Sequence, residues 1–166
     1  EEQKIYDLLI LLSGPEPQRT KYKKKILSQS KDFPINTIFI KGNIENKQTL
    51  EVVNNLTVYN YLVSSELEKV LNQSKFVLAR SGYTTIMDLI VLHKKAFLIP
   101  TPGQSEQKYL AKKLHADKIF QSCFQNQFNA SKLIENYLFA EKVFDTNKTN
   151  WKAILQVFDI KKTASK

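Results

Sequence analysis

Residues 76–111, FVLARSGYTTIMDLIVLHKKAFLIPTPGQSEQKYLA, constrain the fold more than any other stretch of this chain. Phe76–Ala79 is an apolar run of strand length, broken by Arg80-Ser81-Gly82. Tyr83–His93 then spaces Ile86, Ile90 and Val91 as on one helical face, which Met87 and Leu89 widen. Ala96–Ile99 is a second buried strand, stopped by Pro100-Thr101-Pro102-Gly103. Two apolar strands joined by a crossover helix make a βαβ unit, with parallel strands and a right-handed crossover. In such sheets ligands bind at the carboxyl ends of the strands. Here those ends carry hydroxyls, a glycine, an arginine and free helix N-termini, which suits a phosphorylated ligand.

The same alternation extends to both sides. Ile5–Leu12 reads as a first strand, too apolar for an edge, ended by Ser13-Gly14-Pro15-Glu16-Pro17. A helix follows to about Ser30, with Tyr22, Ile26 and Leu27 inward and Lys21, Lys24 and Lys25 outward. Asn36–Ile40 is the second strand, residues 43–55 a polar loop, and Leu56–Tyr61 the third strand. A helix capped by Ser64 or Ser65 carries Leu67, Val70 and Leu71. After the central unit and its closing helix Ser105–His115, Lys118–Phe120 reads as a short last strand. Ala130–Ala140 and Asn150–Phe158 read as terminal helices, the latter striped by Trp151, Ile154, Leu155 and Phe158. The predicted fold is one α/β domain over residues 1–160, with a frayed tail at 161–166. Its core is a Rossmann-like, mostly parallel sheet of about six strands with helices on both faces.

The 166 residues and 42% apolar content suit one domain with a full core. The chain opens on Glu1 and enters a strand almost at once, which suggests a piece of a longer protein. No signal peptide is visible, and no apolar run is long enough to span a bilayer. The single Cys123 leaves no internal disulfide and no cysteine metal site, and His93 and His115 read as helix-end residues. The +9 formal charge comes from lysine clusters at 21–25, 94–95, 112–113 and 161–166. No zinc-finger, helix-turn-helix or RNA-binding aromatic pattern accompanies them, so nucleic acid is not an expected partner. Only four glycines occur, Gly14, Gly42, Gly82 and Gly103, each just past a predicted strand. Turn preference alone explains part of this, but none falls at a helix-to-strand end, where helix caps favour glycine. The asymmetry predicts one open rim.

The segments ARSGYTTIMDL and FLIPTPGQSEQKYLA, in that order, resemble the C-terminal, nucleotide-sugar-binding domain of glycosyltransferase family 28. This is the family of the bacterial peptidoglycan N-acetylglucosaminyltransferase, with the two-domain fold called GT-B. The likeness covers Leu56–Lys118 well and the first strand and loop loosely. It implies the C-terminal half of a GT-B enzyme, with the acceptor-binding N-terminal domain and the catalytic base absent from this chain. Ser81, Gly82, Thr84 and Thr85 would then seat a diphosphate at a helix N-terminus, with Arg80 alongside. Asp88, one turn after Thr84, would hold the ribose hydroxyls, where the family commonly has Glu; a plain helix charge is the alternative. Tyr61 and Leu62 match the uracil-holding segment, although Leu62 also reads as core. Gln104, Glu106 and Gln107 match the helix start that reads sugar hydroxyls. In the first loop, which begins at Ser13, only Gly14 remains of a glycine-rich phosphate loop; two prolines remove amide donors and Glu16 would repel a phosphate, for which Arg19 or Thr20 could compensate.

The resemblance thus implies an inverting hexosyltransferase domain that takes a UDP-sugar and passes the sugar to an unspecified acceptor, without cofactor or metal. No clustered carboxylates suited to a metal occur. The complete protein would be cytoplasmic, with peripheral association to a membrane left open. Two other classes remain: another UDP-sugar enzyme such as a 2-epimerase, which would carry extra acidic and histidine residues, and a non-catalytic basic interaction domain.

Overall fold

The computed structural model, which describes residues 3, 5–34, 36–43 and 47–135, sets the two apolar runs of the central unit side by side as parallel strands. The elements are β1 (Tyr6–Leu11), α1 (Gln18–Ser28), a 3-10 turn (Ser30–Asp32), β2 (Thr37–Ile40), β3 (Leu50–Val53), β4 (Leu56–Tyr59), α2 (Ser64–Gln73), β5 (Ser74–Ala79), α3 (Tyr83–Val91), β6 (Lys95–Leu98), α4 (Ser105–Ala116) and β7 (Gln121–Ser122). A further helix begins at residue 130 and continues through 135. The rest of the expected Ala130–Ala140 helix, the Asn150–Phe158 helix and the tail lie outside the described residues.

Seven strands form one sheet in the order β3-β4-β2-β1-β5-β6-β7. Every pairing is parallel except β3 with β4. Alternate residues of the central strands feed two cores, as the pleat requires. Leu8, Ile10, Phe39, Phe76, Leu78 and Phe97 meet Tyr22 and Ile26 of α1, with Phe128, Ala130 and Leu133. Leu9, Ile38, Val77, Ala79 and Leu98 meet Leu71 of α2, Ile86, Leu89 and Ile90 of α3, and Leu110 and Leu114 of α4. Helices therefore cover both faces, and a strand buried on both sides reads as an unbroken apolar run.

Residues 43–55, expected as a loop, contain β3. Leu50 and Val52 are 57% and 70% exposed, so this strand is held by its ladder to β4 rather than by burial. Apolar periodicity, which reports burial, therefore carries no sign of it. The hairpin turn is Asn54-Asn55, with Asn54 at φ 52°, a conformation asparagine tolerates. Asn54 Nδ2 donates to Ser30 Oγ, and Asn55 Nδ2 to the carbonyls of Lys31 and Phe33, which fastens the hairpin beneath the α1–β2 connection.

The last strand is β7 at Gln121–Ser122, not Lys118–Phe120. The chain cannot extend earlier because α4 closes with Lys118 in the left-handed region, φ 57°. Its N–H donates to the His115 carbonyl and that of Ile119 to the Leu114 carbonyl, the paired bonds of a Schellman cap. His93 caps α3 in the same way at φ 50°. The helix-to-strand ends that lack glycine thus hold side chains where glycine fits better. Lys118→Gly should raise stability by about 1 kcal/mol, the left-handed strain less glycine's extra chain entropy. Thermal unfolding checks this: the midpoint should rise by about 3 °C, and an unchanged or lower midpoint counts against strain at the cap.

Candidate functional site

Because β1, β2, β4, β5, β6 and β7 run the same way, their carboxyl ends share one rim. Numbered among themselves they lie in the Rossmann order, with the crossovers reversing between β1 and β5. Gly14, Gly42, Gly82 and Gly103 follow β1, β2, β5 and β6, so all four turns lie on this rim, as their asymmetry predicts. The first loop touches the loop after β6, since a Cβ on Gly14 would stand 3.3 Å from Thr101 Oγ1. The Arg19 guanidinium is already engaged there. It pairs with Glu16 at 3.0 Å, and its Nη1 donates to the Gly42 carbonyl at 3.1 Å, tying the first rim loop to the second. Glu16 also accepts the Thr20 amide at 3.1 Å; the Thr20 side chain first, then that amide and the Arg19 guanidinium, hold its carboxyl below the usual range. Ser13 stands exposed at the end of β1.

β5 delivers Arg80, Ser81 and Gly82 to the centre of the rim, and α3 starts immediately after them. Gly82 is the cap residue at φ −73°, no side chain caps this helix, and no acidic residue lies in its first turn. By contrast, Glu16 accepts a first-turn amide of α1 and Glu66 accepts the Val63 amide before α2. The α3 N-terminus therefore presents to the rim amides that no side chain caps and a partial positive charge that no first-turn acid offsets. Thr84 is exposed and Thr85 half-buried beside it, and Asp88 is exposed one turn further on the Thr84 face. Ser81 is different. It is fully buried, and its hydroxyl donates to the Gln107 carbonyl at 2.8 Å, so it ties α4 to the start of α3.

Arg80 is also buried, at 1% exposure. Its guanidinium lies 4.4 Å over the Tyr22 ring, Nη1 donates to the Ile99 and Pro100 carbonyls at 3.3 and 3.4 Å, and Nη2 donates to Gln125 Oε1 at 2.7 Å. Burial lowers it to about 10 and pushes the Tyr22 hydroxyl above its ordinary range. The residue clamps the ends of β5 and β6 to α1 and the loop after β7. It shapes the rim from beneath.

At the start of α4 two glutamines act unequally. The Thr101 amide donates to Gln107 Oε1 at 2.9 Å, and Gln107 Nε2 donates to Gln104 Oε1. A backbone N–H must meet an oxygen, so the orientation of Gln107 is fixed, and that in turn leaves the Gln104 amide group as a donor. Gln107 is thus a brace, and Gln104 is the half-exposed donor at the end of β6. Glu106 is exposed in the first turn.

At the end of β4, Tyr61 and Leu62 are half-buried, and Leu62 packs on the α2–α4 core, so its apolar reading holds. Neither the amide nor the carbonyl of Leu62 has a backbone partner among the described residues. The segment is held by Asn60, which the sequence reading passed over. Its Oδ1 accepts the Thr49 and Tyr61 amides at 2.7 and 2.9 Å, and its Nδ2 donates to the Lys47 carbonyl. An asparagine directly after an apolar strand was the available signal. Thr101, buried with Oγ1 unpartnered among the described residues, was passed over as well.

Residues 15–163 match the family described as the glycosyltransferase family 28 C-terminal domain. Among solved structures, the chain resembles the glycosyltransferase of kitacinnamycin (TM-score 0.59, 14% identity, covering 84% of this chain and 35% of that one). It also resembles MurG of Acinetobacter baumannii (0.57, 14%, 96% and 50%) and ALG13 (0.51, 13%, 86% and 87%). At such identities the likeness is one of fold, that of the C-terminal domain of GT-B glycosyltransferases. The chain spans about a third of the kitacinnamycin enzyme and half of MurG. No curated protein matches it significantly.

Proposed function

The chain belongs to the glycosyltransferase family 28 C-terminal domain family, and on that premise we propose that it is the donor-binding domain of an inverting glycosyltransferase. It takes a UDP-sugar and yields a hexosyl group to an acceptor held by an N-terminal domain outside this chain. The observation that carries the reading is the uncapped α3 N-terminus at the centre of the rim, with Asp88 one turn along it. The first-turn amides of α3, which no side chain caps, and the Thr84 and Thr85 hydroxyls bind the diphosphate, and Asp88 accepts hydrogen bonds from the ribose hydroxyls. The Leu62 amide and carbonyl, which have no backbone partner among the described residues, pair with the complementary edge of uracil, and Gln104 donates to a sugar oxygen.

In the transfer, the acceptor oxygen forms a bond to the anomeric carbon while the carbon–oxygen bond to the diphosphate breaks. The electron pair leaves on UDP, and the acceptor's proton goes to a base on the N-terminal domain. The α3 dipole stabilises the charge that gathers on the leaving diphosphate. We place the complete protein in the cytoplasm, and the +9 formal charge of this chain is compatible with peripheral association to an anionic membrane surface. No helix among the described residues is long and apolar enough to cross a membrane.

Calorimetry of this chain with UDP, GDP and dTDP tests the reading: UDP should bind most tightly, and absence of nucleotide binding overturns it. The residue-level check is Asp88→Asn, which keeps the shape and one acceptor but removes the charge. UDP affinity should fall about ten-fold, roughly 1–2 kcal/mol, with the fold intact. Equal affinities in two folded proteins would remove Asp88 from the site.

A further inference from the structure

The charge of α1 is unlike that of the other helices. Within Gln18–Ser28 it carries Arg19, Lys21, Lys23, Lys24 and Lys25 and no acid, whereas α2, α3 and α4 each hold at least one. Arg19 is paired with Glu16, and Lys25 donates to the Gln125 and Asn126 carbonyls, both at 2.9 Å. Lys21 and Lys24 are exposed, three residues apart on the side away from the buried Tyr22 and Ile26. Neither side chain has a partner among the described residues. Like charges at that spacing repel, and a cation near a helix N-terminus meets its partial positive charge. The helix is thus held against its own electrostatics, a cost that a negatively charged partner would relieve.

The two bonds from Lys25 hold the loop after β7 against α1, and Phe124 of that loop is 50% exposed. The positive field continues past it, because the cavity lined by Lys25, Phe124 and Lys108 of α4 has no acid in its wall. On the other side, the helix that begins at residue 130 adds an exposed Lys132 and an exposed Glu135, which offset one another. Unpaired lysines on one helix face with an exposed ring beside them match an anionic bilayer, where cations meet lipid phosphates and a ring enters the interface. A single-stranded nucleic acid would call for a row of stacking rings, and among these residues Phe124 is the one exposed ring. We infer that the outer face of α1 and Phe124 form the surface by which the protein rests on an anionic phospholipid membrane. These lipids support the protein and are not its acceptor, which stays with the N-terminal domain. The assignment rests on the peripheral association named above, gives it a place on the molecule and is independent of the donor seat.

Co-sedimentation of the whole chain with vesicles tests it, with phosphatidylcholine alone set against equal parts of phosphatidylcholine and phosphatidylglycerol. The chain should bind the mixed vesicles and not the neutral ones, and added salt should release most of it. The double variant Lys21→Gln with Lys24→Gln should lower the partition coefficient about thirty-fold, the scale of two lysines near an anionic surface. Lys69→Gln with Lys112→Gln removes the same charge from exposed side chains of α2 and α4, on the opposite face of the sheet, and should bind nearly as the parent does. Phe124→Ser should weaken binding at high salt as well as low, since ions do not screen an apolar contact. UDP affinity should be the same in all these variants, so the membrane surface and the donor reading fail separately. No binding to the mixed vesicles, or equal losses in the two double variants, overturns the assignment. Binding to heparin without binding to vesicles overturns it as well.

Discussion

Arg80→Ala should lower the stability of the chain by about 3–5 kcal/mol, although no carboxylate pairs with this cation among the described residues. The effect comes from what the side chain ties together. Truncation leaves the buried Ile99 and Pro100 carbonyls and the half-buried Gln125 Oε1 short of a donor, and each buried loss costs about 1–3 kcal/mol at most. It also removes the stacking on Tyr22 and opens a cavity the length of an arginine. An opposing gain exists, since burial lowers Arg80 to about 10 and so disfavours its charge in the folded state. Arg80→Met separates the two effects. It fills most of the volume and carries no charge to desolvate, so it should cost about 2 kcal/mol, mainly the orphaned acceptors. Urea denaturation of both variants decides the matter: an alanine variant within 1 kcal/mol of the parent, about one lost hydrogen bond, would mean that Arg80 clamps nothing.

Arg80 also shows where sequence reading stops. The family pattern put Arg80 and Ser81 near a diphosphate, and their place in the chain, just past β5, is as expected. What a sequence does not contain is the direction of a side chain at a strand end, where the pleat stops fixing it. Arg80 turns under the sheet end toward Tyr22, and Ser81 turns toward α4. The shared face of Thr84 and Asp88 was more legible because helical spacing alone sets it. Gln104 and Gln107 look equivalent in sequence, and only the Thr101 amide, brought in by the preceding loop, makes one a brace and the other a donor.

The fold was legible to the extent that burial drives it. β1, β2, β5 and β6 are apolar because both their faces are covered, and they lie where the apolar runs predict. β3 escaped because its backbone pairs while Leu50 and Val52 stay exposed. β7 was misplaced because a strained cap at Lys118, a residue with no turn preference, decides where the chain can extend. Both misses concern backbone hydrogen bonds, which leave no hydrophobic pattern.

Gly42→Ala should be the most disruptive single-methyl change on the rim, at about 2–5 kcal/mol. Two costs combine. Gly42 sits at φ 69°, where a Cβ costs about 1–2 kcal/mol from local sterics alone. The added Cβ would also collide with the Leu12 carbonyl oxygen, a backbone atom that cannot rotate aside. Neither strand end can retreat: the Leu12 amide is bonded to the Ile40 carbonyl at 3.0 Å, and β1 is locked between β2 and β5. Overpacking of this kind adds about 1–3 kcal/mol. The Arg19 bond to the Gly42 carbonyl would be lost with any shift, loosening the first rim loop as well. Gly103→Ala supplies the control, because Gly103 has φ 90° but nothing within 4 Å of the added Cβ. It carries the conformational cost without the collision. Chemical denaturation of the two variants should therefore place Gly42→Ala below Gly103→Ala by at least about 1 kcal/mol. Equal losses would mean that β1 and β2 can part at the rim, and that the close approach of their carboxyl ends is not what demands glycine there.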